Sequence, residues 1–374
     1  MELEKRTVSM SLINNFRERV NRRYFVYNKY LNYEGKNKWS IICSSMDWIS
    51  VAISYLEKHP IPEKDQNDNI YSVNVFTYIS CVDMVLEAVK QLNAVLTGEN
   101  KKYPFDGVKT IFKNNLYCAD DNKYFKTIRA CFGAHSVNLN DYFSSSEMEH
   151  RYASWSGDVV TKGDYSVFLY SNIPGKDMLR FDIYFSEIAE FLIRTYEKIE
   201  DFIKIIDNDE AALWEEWRSK PIEKSDNVSE QLKVLKRENN DRWQNDHYGY
   251  IIDQLILIFE TSITDDKNRE TVEKCRDYLC LVINEIYDIL QNMQEKEIDK
   301  WDTVSSATTK SDAASYGFGK LLALANGVGD YIIGVDPLFE YVKPYVFIRG
   351  TESYQEQYVL ALSGLLIRYL EEKE

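Results

Sequence analysis

A mainly α-helical protein is the fold class this sequence predicts, and three observations predict it. Only 15 Gly and 7 Pro punctuate 374 residues, too few for the many tight turns of an all-β chain. Apolar residues recur at three- and four-residue steps over long stretches, the period of a helix with one buried face. Hydrophobic residues make up 44% of the chain, enough to fill two or three cores at this length.

Taken in order, residues 14–31 predict a charged helix. Residues 39–56 predict a second, with Ile42, Met46, Ile49 and Ala52 or Ile53 on its inner face. Pro60 and Pro62 end it, and the polar run 63–69 is a loop. A third helix spans 70–96, where Phe76, Ile79, Val82, Leu86, Val89 and Leu92 or Asn93 form an inward stripe and Gly98 gives the stop. Residues 106–112 predict a short helical turn, and Asp120 or Asp121 is placed to cap a helix over 122–137. An irregular Ser-rich segment, 140–163, follows and carries Glu149, His150, Arg151 and Trp155.

The period then changes from 3.6 to 2. Tyr165, Val167 and Leu169 alternate with Ser166, Phe168 and Tyr170, Pro174 and Gly175 mark a turn, and Leu179, Phe181, Ile183 and Phe185 alternate again. This predicts one β-hairpin at about 164–185, feeding a helix over 186–206. The polar stretch WRSKPIEKSDNVS reads as a linker. The expected division is a helical domain at 1–217, a linker at 218–229 and a C-terminal helical domain at 230–374. The second domain's expected elements are 228–261, 266–294, a Gly-containing segment 313–335 and a terminal helix 355–372. Gly317, Gly319, Gly327, Gly329 and Gly334 lack both the spacing and the preceding strand of a dinucleotide fingerprint, so helix packing or turns account for them.

The net charge of −15 argues against a surface that is basic throughout and coats nucleic acid. Residues 1–38 are the exception, with nine Lys or Arg against four Glu, an excess of five that leaves −20 for the rest. The ordinary reading of that run is a solvated face pairing with acidic neighbours, and the alternative is a phosphate-contacting arm. Six cysteines are scattered without paired spacing, as buried thiols in a reducing compartment would be. The start MELEKRTVSM has no apolar core and the run 251–259 is too short to span a bilayer, so the expected location is cytoplasmic and no membrane is expected.

Chemistry has few candidate residues. The four His (His59, His135, His150, His247) show no metal-ligand spacing, and no metal or cofactor is expected. Neither a G-x-S-x-G elbow nor a G-x-x-x-x-G-K phosphate loop is present. What remains is Arg129 followed by five residues and His135, in FKTIRACFGAHSVNL; Arg242 and His247 nearly repeat the spacing. On one ideal helix Arg129 and His135 stand about 120° apart around the axis and about 9 Å apart along it. They converge only if Gly133 breaks the helix or a second copy faces the first across a two-fold axis. An Arg would bind phosphate bidentately while a His moved the proton near neutral pH. On the bland reading, Phe125, Ile128, Phe132 and His135 share one apolar stripe and His135 is a core histidine. His150 and Arg151 are further candidates for holding a substrate, against the plainer reading of a solvated loop.

The long helix containing SVNVFTYISCVDMVLEAVKQL, a connection, and then the helix with Arg129 and His135 resemble the HEPN superfamily (higher eukaryotes and prokaryotes nucleotide-binding domain), whose motif is Arg, four to six residues, His. The resemblance covers about residues 39–206. It implies a helical up-and-down bundle with the β-hairpin as an insertion, dimerising through the motif helix. In active members it implies metal-independent RNA cleavage by attack of a ribose 2′-hydroxyl, with Arg129 binding the phosphate and His135 as acid and base. Ala130 stands where active members often carry a polar residue. The expectation is an endoribonuclease of a bacterial defence or toxin type, acting on RNA as a homodimer with a possible regulatory protein partner. The alternative is a non-catalytic helical interaction module that binds a protein or nucleotide.

Overall fold

The computed structural model describes residues 7–22, 24–98, 106–113, 120–132, 149–155, 162–328 and 334–373. It is mainly helical, with one small sheet, and divides into two compact units, Met1–Glu210 and Ala211–Glu374.

In the first unit, α1 (Met10–Asn21) and α2 (Tyr24–Leu31) replace the single helix expected over 14–31. Ser9 caps α1, its side chain accepting the Ser11 amide, so the helix starts four residues early. The basic residues of this region face acidic neighbours: Arg17 pairs with Asp47 at 3.0 Å and Lys29 with Asp209 at 2.6 Å. Helices α3 (Trp39–Lys58) and α4 (Asp68–Thr97) form the most extensively packed pair. Five of the six core positions expected on α4 are buried, Asn93 with them, but Phe76 is 39% exposed and Val75 takes the inner place. Phe76 falls roughly 130° from the centre of the buried stripe, so its spacing from Ile79 misleads. Both helices are long and apolar enough to cross a membrane, unlike the short run considered above; each turns a face into the core, through Ile42, Met46 and Ile49 on α3 and Ile79, Val82 and Leu86 on α4.

Residues 106–113 form turns and a bend in place of the short helical turn expected over 106–112. The cause is Asp121, whose buried carboxylate accepts the amides of Thr110 at 3.0 Å, Ile111 at 3.2 Å and Phe112 at 3.3 Å, leaving them no helical partner. Helix α5 (Asp121–Phe132) begins there; the expected continuation to residue 137 lies outside the described residues.

The expected hairpin is present as β2 (Tyr165–Ser171) and β3 (Leu179–Ile183). A third strand, β1 (Arg151–Trp155), pairs antiparallel with β2 in the register Ala153↔Leu169, inside a segment expected to be irregular. RYASW is too short and too polar to announce an edge strand; the open edge of β2 creates it. The inner face of the sheet, with Val167, Leu169, Phe181 and Ile183, lies on α5 through Phe132, whose ring is 5.8 Å from Trp155 and 6.1 Å from Phe181.

Helix α6 (Phe185–Ser219) runs thirteen residues past its expected end at 206 because EAALWEEW supplies good helix formers beyond the acidic DNDE run. The division between units falls inside this helix by sequence, not at 218–229. Residues of the expected linker belong to the second unit: Ile222 is buried in its core and its amide donates to Gln291 Oε1 at 2.7 Å. The second unit contains α7 (Val228–Arg242), α8 (Asp246–Glu260), a short 3₁₀ turn (Asp266–Asn268), α9 (Arg269–Asn292), α10 (Asp299–Thr309), α11 (Asp312–Ala325), α12 (Asp336–Val342) and α13 (Tyr354–Glu371). The helix expected over 228–261 is broken because Asn245 caps α8 by accepting the Tyr248 amide, with Gln244 at φ 50. Asn227 caps α7 through the Glu230 amide. Gly317 is where α11 approaches α12: a Cβ there would stand 3.0 Å from that of Leu338.

Candidate functional site

Helix α5 is fixed at its start and along one face. Asp120 accepts the Lys123 amide at 2.9 Å as a cap, and Asp121 gathers the three amides described above. Phe125 stacks on Phe191 of α6 at 4.9 Å, and Ile128, Cys131 and Phe132 are buried with it. The opposite face carries Lys123, Lys126 and Arg129 at three-residue steps, all exposed. A short row of cations thus crosses a chain whose net charge is −15.

Lys123 lies 3.6 Å from the buried Asp120 on its own helix, and Arg129 reaches across to α4. Its side chain is 49% exposed, and its Nε lies 2.8 Å from Oδ2 of Asp83, a largely buried carboxylate on α4. Oδ1 of Asp83 is buried and has no hydrogen-bond partner among the described residues. Burial pushes the Asp83 carboxyl up from the usual range, and the Arg129 guanidinium opposes that shift. Two turns on from Asp83, Lys90 pairs with Glu87 at 3.1 Å; burial holds its ammonium below the usual range, Glu87 opposes, and nearby Lys126 adds to the lowering. The seam between α4 and α5 is therefore a half-buried set of three cations and two carboxylates. Sequence reasoning passed over Asp83, although a signal was present: it is the only charged residue between Asp68 and Glu87, in the middle of an apolar run.

His135 and Gly133 lie outside the described residues. His150 is half-buried, its amide donating to Asn172 Oδ1 at 2.7 Å and its carbonyl accepting the Asn172 amide at 3.0 Å; these bonds fix the backbone entering β1. Arg151 is buried, with Nη2 2.7 Å from Glu149 Oε1, while Nη1 donates to the carbonyls of Leu169 and Asp177, both at 3.2 Å. Those donors tie β1 to β2 and to the loop before β3, and the guanidinium faces inward. Arg242 is also internal: Nε meets Glu238 at 2.7 Å, Nη1 and Nη2 donate to the carbonyls of Trp217 at 2.8 Å and Lys220 at 2.7 Å, and the guanidinium lies over the Trp217 ring. His247 is exposed in the first turn of α8.

Among the described residues no three His, Cys, Asp or Glu side chains are grouped to hold a metal ion. His59 stacks on Tyr55 and meets Glu63 at 2.8 Å. Burial pushes the Cys131 and Cys275 thiols up to about 12, which makes them poor nucleophiles. What the α5 face offers chemically is positive charge: an anchored guanidinium with Lys126 about 60° and Lys123 about 120° round the helix from it, suited to contact an anionic backbone. Comparison with protein-family models, with curated proteins and with solved structures gives no match to this chain.

Proposed function

We propose that the solvent face of α5 binds the phosphate backbone of RNA and that the chain is a HEPN-like, metal-independent endoribonuclease of a defence or toxin type. The observation that supports this reading is Arg129, half in solvent, with Lys126 about one turn before it on the exposed side of α5, and held at Nε by Asp83. In this reading the guanidinium takes the scissile phosphate and its developing charge. His135 removes the 2′-hydroxyl proton and returns one to the leaving oxygen, in a site completed by the α5 helix of a second copy. No metal takes part in this chemistry.

The test is cleavage of end-labelled RNA by the purified full chain with EDTA present. Products ending in 2′,3′-cyclic phosphate are expected, with Arg129→Ala and His135→Ala each losing about 10²- to 10⁴-fold in rate. Equal cleavage by wild type and both variants would sink the proposal.

A second reading also draws on Asp83. A buried carboxylate that holds Arg129 can serve simply to clamp α5 to α4, leaving a non-catalytic module that binds a protein or nucleotide. That reading expects no cleavage by any variant and a loss of stability in Arg129→Ala.

A further inference from the structure

The second unit holds an open cavity of about 520 Å³ where the end of α8 and the loop after it meet the loop that enters α13. That size lies within the roughly 300–1,000 Å³ of small-molecule sites. Its wall has no aromatic ring and no aliphatic residue, so a base, a sugar face or an apolar group finds nothing there to pack on. It is also acidic: Glu260, Glu352 and Glu356 line it against Arg349, whose guanidinium is tied to Asp265.

Glu356 is the side chain that marks the cavity as built. Ser353 and Glu356 have the spacing of a capping box, in which the Glu carboxylate would return to the Ser amide. Ser353 does its part, its hydroxyl accepting the Glu356 amide at 3.1 Å. The Glu356 carboxylate turns instead to the loop after α8, where Oε1 accepts the amide of Thr264 at 2.6 Å and its hydroxyl at 2.9 Å. The residue is 2% exposed, yet Oε2 takes no hydrogen bond from any described residue and opens to the cavity that Glu356 lines. A carboxylate oxygen held out of bulk water without a donor costs free energy until a ligand supplies one. We infer that the cavity binds a small organic cation with primary ammonium groups, a linear polyamine by chemical class. One ammonium donates to Glu356 Oε2 and another to the exposed Glu260, to which no described residue brings a cation.

Charge and donor use decide the occupant. An anion would be drawn to the amino end of α13, but Glu352 already accepts the amides of Arg349 at 2.8 Å and Thr351 at 3.1 Å there, and Glu356 sits in the same first turn. A bare metal ion is poorly served, since no three carboxylate, His or Cys side chains are grouped to hold one among the described residues. An ammonium group needs only acceptors, which the carboxylates and the hydroxyls beside them supply, and it brings three donors of its own. Two carboxylates carried by different elements suit a cation charged at both ends of a chain. The site lies wholly in the second unit, shares no residue with α5 and does not rest on the proposed RNA cleavage.

The experiment is isothermal titration calorimetry of the full chain with spermidine at about 150 mM salt, where diffuse attraction to a chain of net charge −15 is largely screened. One spermidine per chain is expected, bound at least tenfold more weakly by Glu356→Gln, which keeps an oxygen for Thr264 while removing the charge, and a few-fold more weakly by Glu260→Gln. Arg349→Gln is expected to bind at least as tightly as wild type, because it removes the opposing cation. Should Glu356→Gln fail to fold by circular dichroism, Glu260→Gln, at an exposed position, carries the test alone. No binding heat up to about 5 mM spermidine overturns the inference. So does binding unchanged in both glutamate variants, which would place the cation elsewhere on the acidic surface. Binding weakened by Arg349→Gln and untouched by Glu356→Gln overturns it too, since the guanidinium and not the carboxylate would then form the site. Magnesium chloride that displaces spermidine from wild type at equal concentration would assign the cavity to a metal ion and overturn the organic cation as its occupant.

Discussion

Two helix ends, one in each unit, carry an Arg followed within a few residues by a His, and the fold treats them in opposite ways. At the end of α7 the Arg242 side chain is 1% exposed and spends its donors on Glu238 and two backbone carbonyls. At the end of α5 Arg129 is half in solvent, with Asp83 as its only charged partner among the described residues. The difference teaches that Arg-to-His spacing carries no chemistry of its own. A guanidinium locked onto fixed carbonyls belongs to the architecture, whereas one anchored at Nε and open at its tip is available to an anion.

The comparison breaks most sharply on stability. Arg242→Ala removes the buried guanidinium that bonds the Trp217 and Lys220 carbonyls and leaves the largely buried Glu238 with only the exposed Arg237, so it is expected to cost about 3–5 kcal/mol, read as a lowered urea midpoint for the second unit. An effect below about 1 kcal/mol would remove Arg242 from the architecture. Within the first unit, Asp121→Ala orphans three amides at 110–112 and is expected to cost about 2–4 kcal/mol, with amide exchange accelerated at those residues ahead of the rest. Arg129→Ala, by contrast, is expected to change stability by about 1 kcal/mol or less, and under the proposed function to lower the rate of RNA cleavage by about 10²- to 10⁴-fold, the reverse of the pattern at Arg242.

The smallest effect is a dependence on pH. Burial raises the Asp83 carboxyl in the folded state, against the pull of Arg129. A carboxyl shifted upward favours the folded state while protonated, and that contribution fades as pH climbs from the ordinary Asp value through the raised one. Stability of the first unit should therefore carry a component that falls as pH rises over that window, and Asp83→Asn should remove it. In Arg129→Ala the opposing charge is gone, so the window should extend to higher pH. Urea midpoints measured from about pH 4 to pH 7 check both signs.

Much of the local architecture was legible in the residues. The α3 and α4 stripes, the β2–β3 hairpin and the Asp120 cap follow from periods of 3.6 and 2 and from side chains that bond amides two or three residues away. The early start of α1 and the break between α7 and α8 were missed because Ser9 and Asn245 cap helices at points where the apolar pattern gives no mark. Phe76 was placed inward for lack of any local mark separating it from Val75. Of the candidate site, Arg129 was legible but its partner Asp83 was not, although a lone Asp in an apolar run was a visible oddity.

By itself the sequence determined the central part of most helices, where the one hairpin turns and which side of α5 is apolar, because these depend on bonds and contacts within a few residues. Only the tertiary structure decided that β1 becomes a strand, that 218–229 packs on the second unit, that Arg151 and Arg242 are internal and that Arg129 meets Asp83. Each of those depends on what a distant element presents: an unpaired strand edge, a row of free carbonyls, a buried carboxylate. Periodicity along the chain holds no record of such partners, since burial is fixed by the neighbour across the interface and not by the spacing of residues on one helix.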